Sequence, residues 1–176
     1  ELASDPEGAQ TPRDWAKRDG WQAVLSGQYR LPAGEVAADL NYRNKVQEAY
    51  FYFGGFPDYR KTALDMLSFS PRIKLPWQAG ALRHELILGL DLDRWDYALR
   101  TSNDPANVGQ PVNRVQARQR NTALYAQDNV RLNEALSLAA GVRMEWFRIS
   151  ASDRYDATAP GGAWTIPVNR LASPAT

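Results

Sequence analysis

Cysteine is absent from the 176 residues, which excludes a disulfide framework, thiolate chemistry and Cys-ligated zinc. The same absence fits a protein that crosses an oxidising periplasm without covalent staples. The single histidine, His84, has no second His or Cys to complete a ligand set, so it is expected to be a strand-start residue facing water. An excess of one charge is lacking too. Against 20 acidic residues stand 21 basic ones, a net +1 with neither a basic stripe nor an acidic tail, so no nucleic-acid partner is expected. A Gly-rich phosphate loop and a nucleophile motif are missing, and scattered Ser and Asp residues make no triad. The chain therefore reads as no enzyme, with no catalytic residues, no cofactor and no resident metal.

Long apolar runs are the last thing missing. No stretch approaches the length of a transmembrane helix, and the mean hydropathy is −0.52. That result leaves spanning strands untested, because a strand that alternates lipid-facing apolar with lumen-facing polar residues averages out like a water-soluble one. The start, Glu1-Leu2-Ala3-Ser4-Asp5-Pro6, carries no initiator Met, basic n-region or apolar h-region, and the end at Ala172-Ser173-Pro174-Ala175-Thr176 is loop-like. Both ends are expected to be cuts in a longer protein.

What the sequence does have is alternation with period two, the signature of strands whose residues i and i+2 share a face. Trp21, Ala23, Leu25, Gly27, Tyr29 and Leu31 oppose Gln22, Ser26, Gln28 and Arg30, with Val24 the exception. After Pro32-Ala33-Gly34, Val36, Ala38, Leu40 and Tyr42 oppose Asp39, Asn41 and Arg43, a return strand that runs on toward Tyr50-Phe51-Tyr52-Phe53. A third segment sets Leu67, Phe69, Ile73 and Leu75 against Ser68, Ser70, Arg72 and Lys74. Pro71 inside it predicts a bulge or an edge, and the parity of Leu64 and Met66 predicts a register change upstream. Beyond Pro76-Trp77-Gln78-Ala79-Gly80 comes the cleanest strand, Leu86, Leu88, Leu90 and Leu92 against Glu85, Gly89, Asp91 and Asp93. A fifth strand, about 122–132, has Gln127, Asn129 and Arg131 on one face and Leu124, Ala126, Val130 and Leu132 on the other, where Asp128 is a blemish. The sixth sets Leu136, Leu138, Ala140, Val142, Met144 and Trp146 against Ser137, Arg143 and Glu145. Residues 121–141 could be drawn as an amphipathic helix by propensity, but Gly141 and the alternating leucines argue for the strand pair.

The fold class is thus all-β, an antiparallel up-and-down meander of about six strands, with residues 1–19 a loop, 20–153 three hairpins and 154–176 a tail resembling an extracellular loop. Tight turns at 32–34, 76–80 and 133–135 alternate with longer connections at 54–60, 101–115 and after 153. Short turns would then gather at one end, as in outer-membrane barrels. Segments such as 35–53 and 83–100 also exceed the ~5–6 residues of ordinary strands. Aromatic girdles would be Tyr29 and Trp77 by the short turns and Trp95, Tyr97, Trp146 and Phe147 toward the long loops. Pattern alone leaves a passive porin, and a soluble β-sandwich or lipocalin-like carrier, open beside a transmembrane barrel segment.

Two stretches go further. Leu124-Tyr125-Ala126-Gln127-Asp128, Val130-Arg131-Leu132 and Leu136-Ser137-Leu138-Ala139-Ala140-Gly141-Val142-Arg143 resemble the YAQD…L…L-x-x-G-x-R hairpin of TonB-dependent outer-membrane receptors. His84-Glu85-Leu86-Ile87-Leu88-Gly89-Leu90-Asp91 with Arg94-Trp95-Asp96-Tyr97 resembles the preceding strand of that family. The resemblance implies a twenty-two-stranded barrel plugged by an N-terminal domain, which imports scarce nutrients such as ferric siderophores or cobalamin with energy from an inner-membrane TonB complex. Six strands make only part of such a wall, so the chain is expected to be an internal fragment in the bacterial outer membrane. Its partners would be outer-membrane lipid, the rest of its own barrel and plug, the TonB complex of the intact protein and a small-molecule ligand.

On that reading, aromatics and arginines of the loops and upper strands carry ligand binding, since flat apolar rings and planar donors suit anionic chelates. The candidates are Tyr52, Tyr59, Arg60, Trp95, Arg100 and Arg118, for each of which girdle or loop packing is the competing role. Asp91, Asp93 and Asp96 suggest a cation site, but the first two alternate along a strand into a polar lumen and no ligand loop completes the set.

Overall fold

The structure, a computed structural model, describes residues 13–53 and 55–162. Six strands, β1 (Trp15–Leu31), β2 (Gly34–Phe53), β3 (Phe56–Ala79), β4 (Leu82–Ser102), β5 (Asn113–Arg131) and β6 (Ser137–Tyr155), form one sheet in sequence order, each antiparallel to the next. The Ala- and Leu-rich 121–141 stretch lies in β5, β6 and the turn between them, as the period-two reading expects. A single 3₁₀ turn, Pro105–Asn107, lies in the connection between β4 and β5. Among the described residues, no helix is long and apolar enough to cross a membrane.

Every strand is longer than its alternating part. β1 starts at Trp15, inside the segment expected to be loop; residues 1–12 of that segment, and 163–176 of the tail, lie outside the described residues. The connection expected over 54–60 is no long loop. β3 begins at Phe56, which pairs with Phe53 of β2, and residues 57–60 are strand. The turn expected over 76–80 shrinks likewise: Ala79 pairs with Leu82, and Gly80 takes the left-handed φ of +60° that two intervening residues require. Length therefore sits in the strands, and the long connections among the described residues are 103–112 and the segment after Tyr155.

Pro71 causes neither bulge nor register shift. On one side Ala38 pairs with it in an unbroken ladder. On the other the pairs Phe69–Leu92 and Arg72–Gly89 bracket two unpaired positions, equal in number on the two strands. A missing N–H removes one rung locally, and the register continues. Leu64 and Met66 also keep the register; their parity differs because they point to the opposite face, where polarity itself reverses.

That reversal organises the molecule. Directly opposed residues share a face, so the pairing extends each strand's pattern across the sheet. One face carries an apolar band over 21–31 of β1, 36–42 of β2, 67–77 of β3, 84–92 of β4, 124–130 of β5 and 138–146 of β6. The longest of these stretches match the ~9–11 residues that a tilted spanning strand needs. The band is open to its surroundings: Leu25 is 70%, Leu138 59% and Val142 64% exposed. Behind it the other face is polar, with Asp39, Arg72, Glu85, Asp91 and Arg143. Farther from the short turns the assignment swaps. The band's face turns charged at Asp65, Arg94, Asp96, Arg118, Arg120 and Arg148, and the opposite face turns apolar at Leu64, Met66, Trp95, Tyr97, Phe147 and Ile149.

Candidate functional site

The swap decides which residues can share a site. Of the six ligand candidates, Tyr52, Tyr59, Arg100 and Arg118 fall on the band's face, and Arg60 and Trp95 on the opposite one. Tyr52 lies one residue before the end of β2, with its backbone N–H donating to Asp14 Oδ1 at 2.6 Å and Arg13 5.0 Å above its ring. Tyr59 is 2% exposed, with Trp15 6.1 Å away. Arg60 is paired with Asp58. Arg118 and Arg94 both donate to Asp96, and Arg100 is exposed at the top of β4. No single cluster gathers the six.

On the face opposite the band, Met66, Trp95, Gln119 and Ile149 are directly opposed on β3 to β6, with Leu64, Tyr97, Ala117 and Ala151 in the next row. The result is a wide apolar and aromatic field above the polar lower half. Asp91, Asp93 and Asp96 do not come together: Asp91 and Asp93 lie on this face, Asp96 on the other. Asp91 accepts from Arg143. No group of three His, Cys, Asp or Glu able to hold a metal occurs among the described residues.

The far end is closed by loop contacts. Asp156 N–H donates to the Val112 carbonyl at 2.8 Å and Tyr155 Oη to the Gly162 carbonyl at 2.6 Å, so the segment after β6 is tied to the β4–β5 connection, where Val112 is 2% exposed. The Asp156 carboxyl is held below the usual aspartate range by the hydroxyl of Thr158 and then by its backbone N–H.

Residues 3–173 match the family model described as "TonB dependent receptor-like, beta-barrel". The chain belongs to this family of receptor barrels. Solved structures similar to it include the unliganded ferric citrate transporter FecA (TM-score 0.71, 14% identity, 90% of this chain and 25% of that one). The ferric-catecholate import receptor Fiu from E. coli K12 gives TM-score 0.65 at 10% identity, over 80% of this chain and 27% of that one. BauA, the ferric preacinetobactin receptor from Acinetobacter baumannii, gives 0.67 at 10%, over 81% and 26%. At such identities the likeness is one of fold, and the chain spans about a quarter of the length of these receptors. No curated protein matches the sequence.

Within the receptor barrel, the family-like motifs turn out to be one another's partners. His84 opens the first motif and Asp128 ends the Tyr125-Ala126-Gln127-Asp128 stretch of the second; their Nδ1 and Oδ2 lie 2.7 Å apart across β4 and β5. The blemish on the apolar band is thus given a hydrogen-bonding partner in place. The expectation that His84 faces water is corrected: its side chain is 11% exposed, and its ring stacks on Trp77 at 4.0 Å and 25°. An unexplained acid on an apolar stripe and a lone histidine were the available signal, 44 residues apart. On the opposite face Gly89 lies directly across from Tyr125, whose ring occupies the space a Cβ at Gly89 would need. Arg143 of β6 then lies 6.0 Å over that ring and reaches Asp91 of β4. Glycine, tyrosine, arginine and aspartate form one interlocked set across three strands.

The girdle expectation changes as well. Tyr29, Trp77 and Trp146 lie on the band's face, but Trp95, Tyr97 and Phe147 lie on the other. At the far edge of the band Trp21 packs on Tyr42 with ring centroids 4.8 Å apart. Trp21 belongs to the apolar face of its strand, and the register sets it diagonally across from Tyr42.

Proposed function

We propose that this chain is a segment of barrel wall in the bacterial outer membrane, its apolar band against lipid, and that the intact receptor binds a scarce nutrient chelate and imports it with energy from a TonB complex. The observation that carries the reading is the reversal of polarity along the strands. An apolar outer band about one bilayer core tall, backed by a polar inner face, is what a spanning barrel wall requires. Above the band the inner face becomes aromatic and apolar, which suits capture of a flat or greasy chelate arriving from outside. The names of FecA, Fiu and BauA all refer to ferric ligands, which supports a ferric chelate as the class of cargo.

Trp95 is the ligand contact this reading favours, with Met66 and Ile149 beside it and Arg60 higher on the same face. Tyr52, Tyr59, Arg100 and Arg118 would serve packing or the outer surface. No chemistry is assigned to the wall; its work is binding and passage. The test is uptake of radiolabelled ferric chelates by cells carrying the intact receptor. Trp95→Ala should weaken binding by about tenfold, the loss of one aromatic contact, while uptake should stop when the proton-motive force is collapsed. Ion conduction by the purified receptor without an energy source, and no saturable ligand binding, would move the assignment to a passive porin.

A further inference from the structure

On the outward face, the first polar row beyond the band is Arg94 on β4, Arg120 on β5 and Arg148 on β6, each directly opposite the next. The row immediately below it is Leu92, Thr122 and Trp146. Like charges directly opposed on neighbouring strands repel, so three in line favour an external anion that bridges them. Nearby compensation is partial. Asp96 is shared by Arg94 and Arg118, and Asp65 already accepts from Tyr42 Oη and Asn44 Nδ2. Among the described residues, no carboxylate pairs with Arg120 or Arg148. The arginines line a groove of about 870 Å³ floored by Ala98 and edged by Ser150 and Ser152.

From this placement we infer that the Arg94–Arg120–Arg148 row, with Arg118, is a binding site for the phosphates of an anionic lipid head group at the outer edge of the bilayer. Guanidinium is the group best matched to phosphate, in forked pairs. Basic side chains just outside the apolar band sit at head-group level, where they gain from each anionic lipid. Neighbouring strands lie about 4.8 Å apart, so the row spans roughly 10 Å, enough for two phosphates on one head group and more than a single small anion can bridge. The committed occupant is therefore a lipid carrying two phosphates. The inference rests on the membrane placement proposed above.

The experiment uses the intact receptor in detergent, titrated with bisphosphorylated lipid A and read by native mass spectrometry. Wild type should retain the lipid, and Arg120→Glu with Arg148→Glu should lower its apparent affinity at least tenfold. Dephosphorylated lipid A should bind both proteins equally weakly, and an equal concentration of inorganic phosphate should displace nothing. Should the Glu pair fail to fold, Arg120→Gln with Arg148→Gln carries the same prediction at smaller amplitude. Arg43→Glu, on the inner face, is the control and should retain lipid as wild type does. Retention by a folded double variant, or displacement by inorganic phosphate, overturns the site. A spin label at Val142 separates the two readings. If it senses lipid while the arginine variants bind lipid normally, the head-group site falls and the placement stands; if it senses water, both fall.

Discussion

His84 and Asp128 show how much a single pairing can hide. A carboxylate on an apolar stripe is unfavourable, and its cost is offset here by one histidine from the neighbouring strand. Replacing His84 with Leu leaves Asp128 without its partner and should cost about 1–3 kcal/mol. Adding Asp128→Leu should restore most of that, because two apolar groups of similar shape replace both partners. A double-mutant cycle on the intact receptor, by urea titration in lipid vesicles, measures the coupling; additive losses would mean that the pair is not linked. Gly89 is the second case. Gly89→Ala drives a methyl into the Tyr125 ring and should cost about 1–3 kcal/mol of overpacking, relieved when Tyr125 is also changed to Ala.

Asp156 titrates outside the wall, in the segment after β6, and its effect has a definite sign. Its folded value lies below that of the unfolded chain, so its contribution is present above about pH 3.9 and fades as the pH falls through the folded value. Protection of the Thr158 amide against hydrogen exchange should therefore persist at neutral pH and be lost on acidification. Asp156→Ala should show the lost state already at neutral pH, and a pH-independent amide would remove this carboxylate from the account.

At the scale of strands, the faces can be tested by one-residue steps. Val142 stands mid-band on β6, and Arg143 beside it points to the opposite, polar face. Val142→Arg should cost about 2–4 kcal/mol in folding into vesicles, the penalty for an arginine near the midplane, while Ala139→Arg on the inner face should cost far less. Equal penalties would mean that the two faces have been exchanged or share one environment. The same elements define what could be read in advance. Alternation between 21 and 43, and again between 84 and 92, identified strands and their faces, because each stretch keeps one polarity for its full length. Beyond Asp65 and Asp93 the two faces trade character, so a reader following apolar parity meets Leu64 and Met66 as a slip and residues 57–60 as loop. The motifs at 84–91 and 124–143 were legible as a family likeness. Their contacts were not, since His84–Asp128 and Asp91–Arg143 depend on a register that only the assembled sheet fixes. The ligand candidates divided between faces for the same reason.

For the whole molecule, the unfinished edges matter most. Among the described residues β1 and β6 each have one neighbour in the sheet, leaving two edges without a strand partner there beside an apolar band that includes Leu25, Tyr29, Leu138 and Val142. In a closed barrel those edges would be paired by further strands and the band covered by lipid. Expressed alone and without detergent, residues 1–176 should therefore self-associate, because edge pairing and burial of the band both favour contact between copies. Size-exclusion chromatography should place the chain far above the 19.7 kDa of a monomer. Detergent should reverse the part of that association due to the band but leave the part due to the edges. Introducing Lys at Val24 and Pro at Gly27 of β1 should reduce the residual association, since charge and proline blunt an exposed edge. A monodisperse, cooperatively unfolding monomer in plain buffer would mean that this sheet closes or covers its band by itself, and the lipid-facing assignment of that band would have to be given up.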